Sequence, residues 1–140
     1  MKKLIFSLLL LNILTIHVHG QDYTDDGDYS ISLNYTRAPS YTVKLPQVVD
    51  VSNENTIMTF YVKGDIYGDQ SLRVIFDHSA ILSYNDETIP LSITQVKDSW
   101  SYNELSDSYT GSSISISHAK LRAGTWAGYL NVAISLQGGL

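Results

Sequence analysis

The chain has 140 residues, with nine basic against fourteen acidic side chains, a net charge of −5 at pH 7 and no cysteine. That length holds one domain, and the acid excess argues against binding nucleic acid or an anionic membrane through bulk charge. Without cysteine there is neither a disulfide framework nor a thiolate metal cluster.

Lys2 and Lys3 precede an apolar run over residues 4–18 that only Ser7, Asn12, Thr15 and His17 interrupt. A basic start, a short apolar core and the small residue Gly20 form the pattern of a secretory signal over residues 1–20, with cleavage expected before Gln21. The run is short for a bilayer, so no membrane insertion is expected once the signal is removed. The mature chain then carries seven basic side chains against fourteen acids. An exported domain without disulfides is more typical of bacteria than of animals, which points to a secreted protein at the bacterial cell surface.

Residues 21–28 are an acidic, turn-like lead with Asp22, Asp25, Asp26 and Asp28 around Gly27. The domain proper is expected over residues 29–140. Its first strand is predicted at residues 29–36, where Tyr29, Ile31, Leu33 and Tyr35 share one face and Ser30, Ser32, Asn34 and Thr36 the other. A short strand over residues 41–45 stops at Pro46, which suits an edge because proline donates nothing to a ladder. Further inward rows are Met58, Phe60 and Val62; Leu72, Val74 and Phe76; residues 80–84; and Ile89, Leu91 and Ile93. Residues 99–111 are polar, with Trp100, Tyr102 and Tyr109, and read as a loop or ragged edge. Ile114 and Ile116 then alternate with serines. The last stretch alternates from Trp126 to Leu136 and predicts one long terminal strand with a buried face. Seven or eight short strands with frequent turns and no helical periodicity predict an all-β, immunoglobulin-like antiparallel β-sandwich.

Tyr41-Thr-Val-Lys-Leu-Pro46, Val62-Lys-Gly-Asp-Ile-Tyr-Gly-Asp69 and Ala123-Gly-Thr-Trp-Ala-Gly-Tyr-Leu-Asn-Val-Ala-Ile-Ser-Leu136 resemble small secreted β-sandwich surface modules of Gram-positive, Firmicutes-type bacteria. That resemblance implies a fold and a location but no chemistry. The Ala-Gly-X-aromatic-X-Gly start of the ending is also similar to the last strand of chaperone–usher fimbrial (pilin) subunits. The amphipathic residues 29–36 are similar to the extension such subunits donate to a neighbour. The second resemblance implies assembly by strand complementation, in which a segment from one subunit fills a groove and pairs open edges in the next. Tyr29, Ile31, Leu33 and Tyr35 are then the donor residues, and Leu130, Val132 and Ile134 the acceptor face. The same alternation equally fits a first strand within its own sandwich.

No catalytic constellation stands out, and an enzyme is not expected. The acids of the lead lack the spacing of a calcium loop, and a solvated acidic terminus explains them. His78 and His118 lie forty residues apart with no histidine or cysteine close in sequence, so no metal is assigned and no cofactor is called for. Trp100, Tyr102 and Tyr109, with Asn103, Glu104 and Asp107 nearby, are the candidate ligand-binding surface, since rings stack on sugars while amides and carboxylates accept hydroxyls. The competing expectation is that Trp100 folds back onto the sandwich. The sequence therefore predicts a structural subunit of a surface filament whose partners are copies of itself or related subunits. The alternative is a monomeric adhesin-like module for a glycan or host receptor.

Overall fold

The computed structural model describes Asp22 and residues 25–139. The expected signal at residues 1–20 lies outside the described residues. The chain divides into two units, one up to Tyr35 and one from Thr36 onward.

In the first unit, residues 29–35 form no strand, contrary to the expectation from their alternation. Ile31, Leu33 and Tyr35 are 87, 91 and 85 % exposed, and the Tyr29 hydroxyl donates to the Asp25 carbonyl. Alternation supplies an apolar row, but a strand also needs a neighbour for its backbone groups. Among the described residues no ladder engages this segment.

The second unit is all-β. Its strands are β1 (Ser40–Lys44), β2 (Asn55–Asp65), β3 (Ser71–Phe76), β4 (Ser79–Tyr84), β5 (Glu87–Gln95), β6 (Ser99–Ser101), β7 (Thr110–Ser117), β8 (Ala127–Tyr129) and β9 (Val132–Gln137). They form two sheets, a six-stranded one ordered β1-β2-β7-β5-β4-β8 and a three-stranded one ordered β6-β3-β9. Every pairing is antiparallel. The sandwich expectation holds.

Period-two alternation builds the layers. Met58, Phe60 and Val62 of β2, Leu82 of β4, Leu91 and Ile93 of β5, and Ile114 and Ile116 of β7 are buried on the inner face of the large sheet. Leu72, Val74 and Phe76 of β3 face them from the small sheet, and the Phe60 ring meets Phe76 at 5.2 Å and Trp100 at 5.9 Å. The β4–β5 hairpin turns at Asn85, whose φ of 53° lies in the left-handed region that asparagine tolerates. Pro90 is accommodated inside β5 because β7 pairs only with residues 92–95, which leaves one side of Pro90 without a ladder.

The terminal strand departs from expectation. It is two strands in two sheets: β8 pairs with β4 at the edge of the large sheet, and β9 pairs with β3 in the small one. The chain crosses between layers at Leu130 and Asn131. Asn131 pins the crossing, its amide donating to Asp77 Oδ2 at 3.0 Å while its carbonyl accepts the Asp77 amide at 3.1 Å. Gly128 permits the approach, since a Cβ there would stand 2.1 Å from the Ile81 carbonyl oxygen.

Candidate functional site

Three strands are opposed to six, so the small sheet leaves part of the large one uncovered. The shortfall is an apolar cleft of about 530 Å³. Its floor is the inner face of the large sheet, with Met58, Leu82, Leu91, Ile93 and Ile116. The small sheet contributes only Phe76, at the end of β3. Residues 45–49 with Val51, and β8 with Leu130 at the crossing, supply the other walls. A loop therefore stands where a fourth strand would lie.

Only the start of β9 adjoins this shortfall: Leu130 just before it and Phe76 opposite Val132 line the cleft, while no residue of β9 itself does. Asp77 and Asn131 share the β3–β9 register and are hydrogen-bonded, so alternation along an antiparallel ladder turns residues 133, 135 and 137 toward β3. The backbone groups of Val132, Ile134 and Leu136 then point to the far side. Among the described residues no strand pairs with that side. Their side chains share the inward face of Phe76, Val74 and Leu72, their cross-strand partners. Val74 is 0 % exposed, yet Ile134 opposite it is 38 % exposed. An inward-pointing isoleucine is left wet.

Other strand edges are protected against intruding partners and this one is not. β6 and β8 are three residues each, and β1 ends at Lys44 shortly before Pro46. β9 is six residues without charge or proline. Of the expected acceptor set, Leu130 lines the cleft at the crossing, Val132 packs partly into the core, and Ile134 stays outside it. Val132 and Ile134 share the inward face of β9, and Leu130 precedes them at the crossing.

The covering loop is tethered by His118. Its Nε2 lies 2.7 Å from the Val51 carbonyl oxygen and its Nδ1 2.7 Å from that of Ala119. Only the doubly protonated ring donates at both nitrogens, and the Ala119 carbonyl is the main influence raising the His118 pKa. Asp50, on the same loop, has its pKa lowered by the Ser52 hydroxyl and then the Ser52 amide. The pKa of Glu104 falls to about 2 because Lys97 and then the Ser101 amide hydrogen-bond its carboxylate. Both acids belong to local turns rather than to a reactive cleft. Among the described residues no three His, Asp or Glu side chains gather as metal ligands. The cleft is lined mostly by apolar side chains.

The expected ligand-binding aromatics are separated. Trp100 is 1 % exposed, edge-on to Phe60 in the core, and offers no free ring face. Tyr102 lies in a 3-10 turn, whereas Tyr109 packs against Tyr61 on the outside of the large sheet. Sequence reasoning missed the covering loop, whose one signal is the apolar Val48, Val49 and Val51 placed after Pro46 without alternation. It also missed Gln95, whose side chain bridges the Val74 and Lys97 carbonyls and the Phe76 amide. No family model, curated protein or solved structure matches this chain.

Proposed function

We propose that this chain is a structural subunit of a bacterial surface filament that assembles by β-strand donation. Residues 29–35 of one copy lie along β9 of the next, with Ile31, Leu33 and Tyr35 directed into the cleft. The observation that carries this reading is the six-residue, uncharged β9 edge, whose start at Val132 adjoins an apolar cleft that a loop covers only in part. Donor side chains two residues apart repeat with the pleat of β9, so one register serves both pairing and burial. Each copy bears both a donor segment and an acceptor edge. The contact therefore repeats head to tail without closing, and a fibre results. Export by the expected signal places such a fibre outside the cell.

The test compares the chain from Gln21 with its Ile31→Lys, Leu33→Lys double variant by size-exclusion chromatography and by electrophoresis without boiling. A ladder of assemblies that the variant loses supports donation. Monomers in both, at concentrations well above micromolar, would remove it. Truncating the first 36 residues and adding residues 21–36 as a free peptide gives a second readout, namely peptide-dependent protection of the β9 amides from exchange.

A further inference from the structure

The outer face of the large sheet is untouched by strand donation, and it carries a second built feature. Tyr61 of β2 sits directly opposite Gly111 of β7. Its ring carbons lie 3.3 and 3.6 Å from where a Gly111 Cβ would stand. The missing side chain lets the ring lie down across the neighbouring strand, and Tyr61 stays 42 % exposed. Tyr109 stands against it at 76°, centroids 6.4 Å apart, so the two rings form a floor and a wall. Lys63 Nζ lies 4.7 Å and Lys44 Nζ 6.0 Å from the Tyr109 centroid.

Among the described residues neither lysine takes part in an ion pair, although acids outnumber bases in the chain. The nearest acid along β2, Asp65, is held by Arg37 at 2.8 Å. Two ammonium groups are thus collected around the one Tyr109 ring rather than by carboxylates. Beside the corner the face is uncharged and, apart from the exposed Ile57 opposite Ser115, hydroxylated. Thr59 pairs across to Ser113, Ser115 to Thr94, and Ser117 to Ser92. These six outward side chains are all exposed or half-buried.

We infer that this corner binds a carboxylated sugar of an acidic glycan. The Tyr61 face takes the pyranose ring, Lys44 and Lys63 take the carboxylate, and the hydroxyl rows meet neighbouring sugar hydroxyls. A neutral sugar leaves the ammonium groups unanswered, and a run of Asp or Glu residues has no ring for the floor. The inference is independent of filament assembly.

The test is calorimetric titration of the full chain from Gln21 with a hyaluronan hexasaccharide, against maltohexaose and oligoglutamate of equal charge. The expected result is binding of the hyaluronan oligomer that weakens with added salt. Lys44→Gln with Lys63→Gln lowers the affinity about tenfold or more, the size expected for losing charge-assisted hydrogen bonds. Gly111→Ala, which pushes the floor ring up while sparing both lysines, also lowers it. Lys120→Gln, remote from the corner, leaves it unchanged. Circular dichroism of each variant checks that the fold is intact. No binding of the hyaluronan oligomer overturns the inference, as do undiminished affinity in the lysine double variant and equally tight binding of maltohexaose or oligoglutamate.

Discussion

Replacing Trp100 by alanine separates a core role from a surface role. Trp100 is 1 % exposed in β6, the strand that pairs with β3 through Leu72, and its ring meets Phe60 at 5.9 Å and 85°. Truncating a buried tryptophan to alanine costs about 3–5 kcal/mol through lost transfer energy and the cavity left behind. The edge-to-face pair adds about 0.5–1.5 kcal/mol beyond burial. Phe60 keeps its second partner, Phe76, at 5.2 Å, so the cavity is only partly able to collapse. A loss of about 4–5 kcal/mol is a large share of the roughly 5–15 kcal/mol that holds a domain folded. It lowers the unfolding midpoint by roughly 15–25 °C for a domain of this size. Far-UV circular dichroism during urea and thermal unfolding is the appropriate assay, because the variant's fluorescence would report Trp126 alone. Tyr102→Ala, at an exposed turn position, changes stability by less than about 1 kcal/mol. The reasoning fails if the Trp100 variant loses under about 1.5 kcal/mol, or no more than the Tyr102 variant.

Two further outcomes follow from backbone approach and from protonation. Gly128→Ala places a methyl 2.1 Å from the Ile81 carbonyl oxygen, so β8 peels from β4 at a cost of about 1–3 kcal/mol. Amide exchange should show residues 127–129 losing protection while β3 and β9 keep theirs. His118 has a folded pKa raised above its ordinary 6.5, first by the Ala119 carbonyl and also by the Val51 carbonyl, the Asn53 backbone and Glu54. Its contribution to stability is therefore fully present below about pH 6.5 and is lost as pH rises through the folded value. Unfolding midpoints measured from pH 5 to 9 should fall across that window in the wild type and stay flatter in His118→Gln. Parallel profiles would dismiss the tether.

Much of the sandwich is legible in the sequence because burial and alternation coincide there. Met58-Thr-Phe-Tyr-Val62 and Leu72-Arg-Val-Ile-Phe76 each bury every second residue, and each is a strand of the structure. The same signal misled at residues 29–36, whose apolar row has no ladder partner among the described residues. At Trp126 to Leu136 the rhythm runs unbroken while the chain changes sheets, since alternation reports which side faces in and not which neighbour pairs. β6 was hidden because a three-residue strand around one tryptophan has no period to read. The cleft could not be anticipated from the chain alone. It depends on six strands facing three, a property of topology rather than of any segment.

The magnitudes show how closely the costs and gains of docking an incoming strand on β9 are matched. Ordering seven residues costs roughly 7–14 kcal/mol of backbone entropy at 1–2 kcal/mol each. Burying three large apolar side chains returns about 5–9 kcal/mol. Some six ladder hydrogen bonds along β9 add about 3–9 kcal/mol at 0.5–1.5 each. The proposed donation thus stands close to balance before any gain from covering Ile134. Near balance, one side chain determines the outcome. A polar group at position 33 forfeits about 2–3 kcal/mol of burial and incurs a desolvation penalty of comparable size. Losing both tips an assembled edge back to an open one. That sensitivity sets the proposed contact apart from a broad, tolerant interface: Leu33→Asn alone should abolish assembly, whereas Ser32→Asn, on the opposite face of the donor, should leave it unchanged.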